Sequence, residues 1–326
     1  MSESRVMASD YPNIDVFYND ASTNAKDTLA LVQKRFDKWD GGPRIEYHKT
    51  SANIDDFKDI LINAVENKDG ETITGAISGD GSINNIMQIM QDPDTPEVVK
   101  NSPLWTPGGG NAVNLFRALT HRIHDRHPDE VIRTGEIDEF FPLNIKTYTE
   151  DGMEDEKLAA TIFSVGAIAM AASYLNHEEH RNSKIRNRKG GEIIADPIQI
   201  LHSLKDSEQF LMNDQDHGVR NVFDNIYINS PWNAKIMYAR NVKLTGPAYN
   251  FEVRQKNTKE VVTAMAKLAL GKDNGSYLED QRSFTVLSDN IMAQVDGEAW
   301  EIEADTVFDV GYANEPIKVV TTLKNP

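Results

Sequence analysis

From Ile14 onward the apolar positions keep changing period. "IDVFYN" (14–19), "PRIEYHKT" (43–50) and "ITGAIS" (73–78) are short runs or alternations of strand type. Between them, "NAKDTLALVQKRFDKW" (24–39) sets Leu29, Val32 and Phe36 on one helical face, and "NIDDFKDILINAVEN" (53–67) is again helical. A third helix carries Ile83, Ile86, Met87 and Met90. Strand and helix in turn is the signature of a parallel sheet. Near residue 130 the rhythm changes. "EIDEFFPLNIKTYTE", "NVFDNIYIN", "KIMYARNVKL", "YNFEVRQ", "SFTVLS" and "NIMAQVDGEAWEIEAD" read as strands, interrupted by a helix at "TKEVVTAMAKLALG". The pattern predicts an α/β domain over 1–130 and a β-rich domain over 131–326, with a C-terminal tail free to return to the first. A chain of 326 residues exceeds what one core usually organises.

Two glycine turns stand out. "SGDGSINN" (78–85) places Gly79-Asp80-Gly81 between a strand and a helix expected to begin at Ser82–Ile83. "LWTPGGGNAVNLFRAL" (104–119) places Gly108-Gly109-Gly110 ahead of another helix. Glycine permits positive φ and close approach to the backbone. A helix start offers unpaired amides and partial positive charge, so a glycine turn feeding one makes a phosphate site. Ligands collect at such turns beyond the carboxyl ends of parallel strands. Neither turn has the Walker A or dinucleotide pattern. Asp80 would repel phosphate there unless it serves a metal, a proton transfer or a donor-rich turn.

Composition narrows the partners. The formal charge of −17 excludes a nucleic-acid backbone as partner. With no cysteine there is no disulfide framework and no thiolate metal site. Met1 to Asp15 lacks a signal-peptide core, and a cytoplasmic protein is expected. The uncharged stretch from Leu158 to Tyr174 is at the short end for a membrane span and reads instead as a buried segment lining an apolar pocket. The histidines of "HRIHDRHPDE" and "NHEEHRNSKIRNRKGG" lack zinc-site spacing and read as solvated helix ends or loops. The basic run Lys184 to Lys189 reads as an exposed loop that could touch anionic headgroups.

Taken in order, these motifs resemble the diacylglycerol kinase catalytic domain, shared by diacylglycerol, sphingosine and ceramide kinases and bacterial lipid kinases. "SGDGSINN" resembles that family's G-G-D-G-T-x-N-E turn. "GGGNA" resembles its second glycine turn, "NDAST" (19–23) its first-strand motif, and "QVDGEAW" (294–300) its D-G-E motif. The resemblance implies a Rossmann-like ATP-binding domain followed by a β-sandwich-like domain, and magnesium-dependent transfer from ATP to a hydroxyl of a lipid or lipid-like acceptor. Asn19, Ser22, Thr50, Gly79, Asp80, Gly81, Ser82, Asn84, Gly108, Gly109 and Gly110 would surround the nucleotide. Glu298 would be the general base, with Asp80 the other catalytic candidate. Peripheral membrane contact and a homodimer are compatible with it. The chain departs from the pattern at Asp20, Thr23, Asn85 and Gly109, at Ile168 and Met170 where lipid kinases often carry an acid, and at Thr245 and Gly246 where bacterial relatives bind a structural magnesium. The magnesium ligands therefore stay unassigned. An NAD kinase-like enzyme shares the glycine turn, and a nucleotide- or lipid-binding protein without transfer activity is the non-enzymatic alternative.

Overall fold

Strand β3 (Thr72–Ile77) is buried along its whole length, because helices cover both faces of the parallel sheet it belongs to. The computed structural model describes residues 6–19, 25–50, 53–77, 80–107, 115, 119, 127–150, 152–177, 180, 192–233, 237–240, 242–243, 246–256 and 258–322. These divide into two units, residues 1–142 with 313–326, and residues 143–312.

In unit one, β3 lies among β1 (Asn13–Tyr18), β2 (Arg44–Lys49), β4 (Leu104–Trp105), β5 (Glu136–Phe140) and β20 (Ile317–Thr321), in the order β2-β1-β3-β4-β20-β5. All neighbours are parallel except β5, which runs antiparallel to β20. Residues 131–142, grouped by sequence pattern with the second domain, therefore belong to the first, and the C-terminal tail completes its sheet.

The helices are α1 (Ala25–Phe36), α2 (Ile54–Glu66), α3 (Asp80–Gln91), α4 (Glu97–Lys100) and α5 (Pro128–Thr134). Helix α2 shows why they form. Asn53 caps it by accepting the Asp55 and Asp56 amides at 2.8 and 3.2 Å, and Phe57, Leu61 and Val65 recur every four residues on the buried side. Helix α1 buries Val32 and Phe36, and Phe36 meets the edge of Trp105 at 5.6 Å. Gly75 leaves room for that indole: a Cβ there would lie 3.0 Å from the Trp105 ring and 3.2 Å from Val16.

Unit two is built from two antiparallel six-stranded sheets. One orders β10 (Gly218–Val222), β9 (Phe210–Asp214), β16 (Arg282–Val286), β19 (Thr306–Tyr312), β6 (Leu143–Thr149) and β7 (Gly152–Ala159). The other orders β15 (Ser276–Tyr277), β14 (Tyr249–Val253), β11 (Asp224–Ile228), β8 (Ile162–Gly166), β17 (Ile291–Val295) and β18 (Glu298–Ile302). Their inner faces share one core, threaded by rings at Phe163–Tyr227 (5.8 Å), Tyr227–Phe284 (6.2 Å) and Phe284–Phe308 (5.3 Å).

Among the described residues, α6 (Ala167–Asn176), α7 (Glu192–Asp206) and α8 (Thr258–Leu270) accompany the sheets. The stretch from Leu158 to Tyr174 is thus the end of β7, a turn, β8 and most of α6; it lacks charge because most of it is core. Among the described residues no helix is long and apolar enough to cross a membrane. "KIMYARNVKL" departs from its expected strand: its described residues hold only β13 (Met237–Tyr238), paired with β12 (Trp232–Asn233).

Candidate active site

In unit one, β1, β2 and β3 end on the same rung, where Tyr18 pairs with Lys49 on one side and Ile77 on the other. The residues that follow therefore emerge together at the carboxyl edge of the sheet. Asn19 follows β1. Thr50 follows β2, is buried, and donates both its amide and its hydroxyl to the Tyr18 carbonyl at 2.9 and 3.2 Å. It thereby ties the ends of two adjacent strands together.

Helix α3 begins at Asp80, two residues before the start expected from sequence, so Asp80 and Gly81 belong to its first turn. Ser82 is half-buried. Asn84 is buried with its side-chain oxygen unpartnered, and so is the Thr106 hydroxyl just past β4. Buried polar atoms without partners are uncommon, and here two flank one strand edge. Ser22, Gly79, Gly108, Gly109 and Gly110 lie outside the described residues, as does the Asp80 side chain.

In unit two, Asp296 and Gly297 join β17 to β18 in a two-residue turn, both with positive φ (49° and 96°). That is the conformation an Asp-Gly hairpin demands. The Asp296 carboxylate does far more than shape the turn. It is buried and accepts from the amides of Ala160, Thr161 and Ile162 at 2.6, 2.8 and 2.9 Å, and from the Thr161 hydroxyl at 2.5 Å. Burial raises its pKa against the opposing pull of these donors. Gly297 is held on both sides: its amide donates to Gln294 at 2.6 Å, and its carbonyl accepts from Asn176, the last residue of α6, at 2.6 Å.

Glu298 follows at once, exposed on this fixed turn. Surrounding protein raises its pKa first and the Asp296 charge raises it further, while Lys157 pulls it down. A carboxylate made more basic and kept within reach of solvent is suited to accept a proton.

One group of possible metal ligands occurs among the described residues, Asp15, Glu46 and His48. Its charge is already met. The Lys68 ammonium sits 2.5 Å from Glu46 and 3.4 Å from Asp15, and His48 reaches Asp15 at 2.8 Å. A hard cation such as magnesium seeks oxygen ligands and would have to displace the ammonium, so this set does not fit it.

Asn176, Lys157 and the long reach of Asp296 escape a reading of the sequence, because each acts on the turn from a different strand or helix. Of the histidines, His180 bonds Asp196 at 2.9 Å and His127 precedes α5 as its N-cap residue. His121, His124 and the run from Lys184 to Lys189 lie outside the described residues.

The fold is that of diacylglycerol kinases. A candidate diacylglycerol kinase of Bacillus anthracis str. Sterne superposes with a TM-score of 0.64 at 12% identity, covering 97% of this chain and 98% of that one. A second crystal structure, described as a diacylglycerol kinase of the same organism, gives 0.59 at 10% identity with the same coverage. No family model and no curated protein matches the sequence.

Proposed function

We propose that the chain is a kinase that transfers the γ-phosphate of ATP to a hydroxyl on a lipid or lipid-like acceptor. The observation that carries this reading is the strand edge of unit one. Asn19, Thr50 and the Asp80 end of α3 follow three adjacent strands that finish in register, and they are positions at which the sequence resembles the motifs of the diacylglycerol kinase domain. The first amides of α3 would receive phosphate oxygens. The Asn84 side-chain oxygen and the Thr106 hydroxyl, buried and unpartnered, retain hydrogen-bonding capacity for the nucleotide. Magnesium would arrive bound to the triphosphate and offset its charge.

Glu298, in unit two, is the proposed proton acceptor. In the proposed step the acceptor oxygen forms its bond to the γ-phosphorus, its proton passes to a carboxylate and ADP leaves. The Asp296 clamp and the Asn176 contact hold the turn rigid, so Glu298 needs little reordering before it acts. Helix α6, uncharged from Ala167 to Asn176, ends at that same turn, and the acyl chain of the acceptor is proposed to lie against it. Acceptors with longer chains should therefore bind better, by roughly 0.8 kcal/mol for each methylene buried.

The test is transfer of label from γ-labelled ATP to a panel of hydroxyl lipids in mixed micelles, with sugars and NAD in parallel. Label on a lipid supports the reading. Label on NAD or a sugar alone replaces the acceptor class, and no transfer with ATP bound leaves a binding protein.

A further inference from the structure

At the other edge of the Glu298-bearing sheet, unit two encloses a cavity of about 880 Å³ lined by β9, β14, β15, β16 and α8. That volume is in the range of small-molecule sites. Strand β14 stands four strand steps from β18, about 19 Å at the usual spacing, so the cavity is separate from the turn carrying Glu298. We infer that it is a second ligand site, built for a small polyhydroxylated oxyanion anchored by Arg282.

The charges in the wall are answered unequally. Arg220 is pinned between Asp214, at 2.5 Å, and Glu252, and Arg254 also reaches Glu252 at 3.4 Å, so two guanidiniums meet those two carboxylates within the wall. Arg282 is treated differently. Its guanidinium donates to the Asn250 side-chain oxygen at 3.2 Å and the Ser276 hydroxyl at 3.0 Å, both uncharged, and it has no carboxylate partner among the described residues. Asn250 is itself fixed, its amide donating to Asn225 at 2.8 Å and to the Ile226 carbonyl at 3.1 Å, with both asparagines buried. A buried amide relay thus aims a cation without cancelling it. A guanidinium has five donors, and the two bonds leave a fork free for a carboxylate or phosphate.

A second group points the same way. Asp273 accepts from Tyr249 and from the Gly275 amide through one oxygen, while its other oxygen is buried and unpartnered. The loop holding it cannot shift freely, because a Cβ on Gly275 would lie 2.4 Å from the Tyr249 ring and 2.5 Å from the Asn250 carbonyl. An acceptor needing a donor, close in sequence to the Ser276 that holds Arg282, calls for hydroxyls on the same ligand. Lys267 adds a cation at the exposed margin, where Asp216 and Glu260 are solvated and screened.

The experiment is calorimetry of the full chain with ribose 5-phosphate, gluconate and neutral ribose. We expect at least one of the two anions to bind with a Kd below about 1 mM and ribose not to bind; the tighter anion tells phosphate from carboxylate. Arg282→Gln should weaken binding at least about tenfold and Asp273→Asn fewfold. A measurement that needs no variant is protection of Arg282 from phenylglyoxal by the bound anion, read by mass spectrometry. The inference is overturned if neither anion binds, if Arg282→Gln binds as wild type does, or if Arg282 reacts equally fast with and without ligand.

Discussion

The candidate positions in the two units are held in contrasting ways, each within its own unit. In unit one the strand edge is aligned by the sheet itself: three parallel strands stop on one rung, and Thr50 adds bonds to a neighbouring carbonyl. In unit two the position of Glu298 depends on a single carboxylate, Asp296, that gathers four donors from a turn more than 130 residues earlier in the chain. The first arrangement spreads its support over many backbone bonds, so no one side chain is indispensable to its shape. The second concentrates support, which makes the turn stiff and also fragile. Function and stability should therefore separate at the strand edge, whereas in the hairpin they meet in adjacent residues.

The largest effect expected from this contrast is on stability. Asp296→Ala strands three buried amides, each costing about 1–3 kcal/mol, so denaturant unfolding should show a loss above about 3 kcal/mol. Asn19→Ala at the other site should cost far less. Equal losses would erase the contrast.

Next comes Glu298→Gln, which keeps the shape and removes the base. The rate should fall at least about a hundredfold with an unchanged melting temperature, because the clamp lies one turn position away. A fewfold loss would move the base elsewhere, with Asp80 tested next through Asp80→Asn.

Gly81→Val sharpens the comparison from the unit-one side. A branched side chain in the first turn of α3 crowds the phosphate approach, so ATP affinity by calorimetry should drop about tenfold, or 1.4 kcal/mol, while the fold holds. Unaltered affinity would take the nucleotide away from this helix.

The smallest expected effect concerns pH. As the proposed base Glu298 would act only when deprotonated, and its pKa stands above the ordinary 4.5, so the rate should climb with pH through a value above that figure and be lost below it. Lys157 opposes this shift, so Lys157→Gln should move the acid limb upward by a few tenths of a pH unit, the size expected for an exposed pair. A downward move would mean that a different group controls the limb.

Much of unit one was legible in the sequence because parallel strands and amphipathic helices write their burial into local period. Val32 and Phe36, Phe57 and Leu61, and the run 72–77 each show the face they bury. The start of α3 was misplaced because glycine is a poor helix former, and Gly81 nonetheless lies inside the first turn. The Asp-Gly hairpin was legible for the same local reason: two residues settle its conformation. What Asp296 does with its carboxylate was not, since its partners are defined by the pairing of β17 with β8, a contact without local trace. Segment 131–142 was misgrouped because β5 is amphipathic like the strands after it, and only its partner β20 reveals the sheet it joins.

That partner carries a consequence for how the chain is made. Strand β20 lies between β4 and β5, yet it leaves the ribosome only after the whole of unit two. At about 5–20 residues per second, the first sheet waits on the order of ten seconds or more with β4 unpaired on one side and β5 cut off from the other four strands. Unit two has no such delay, since all its strands are contiguous in the chain. Unit one, begun first, is thus completed last. A nonsense codon just before Ile317 would leave it open to chaperones and proteases, with unit two already folded.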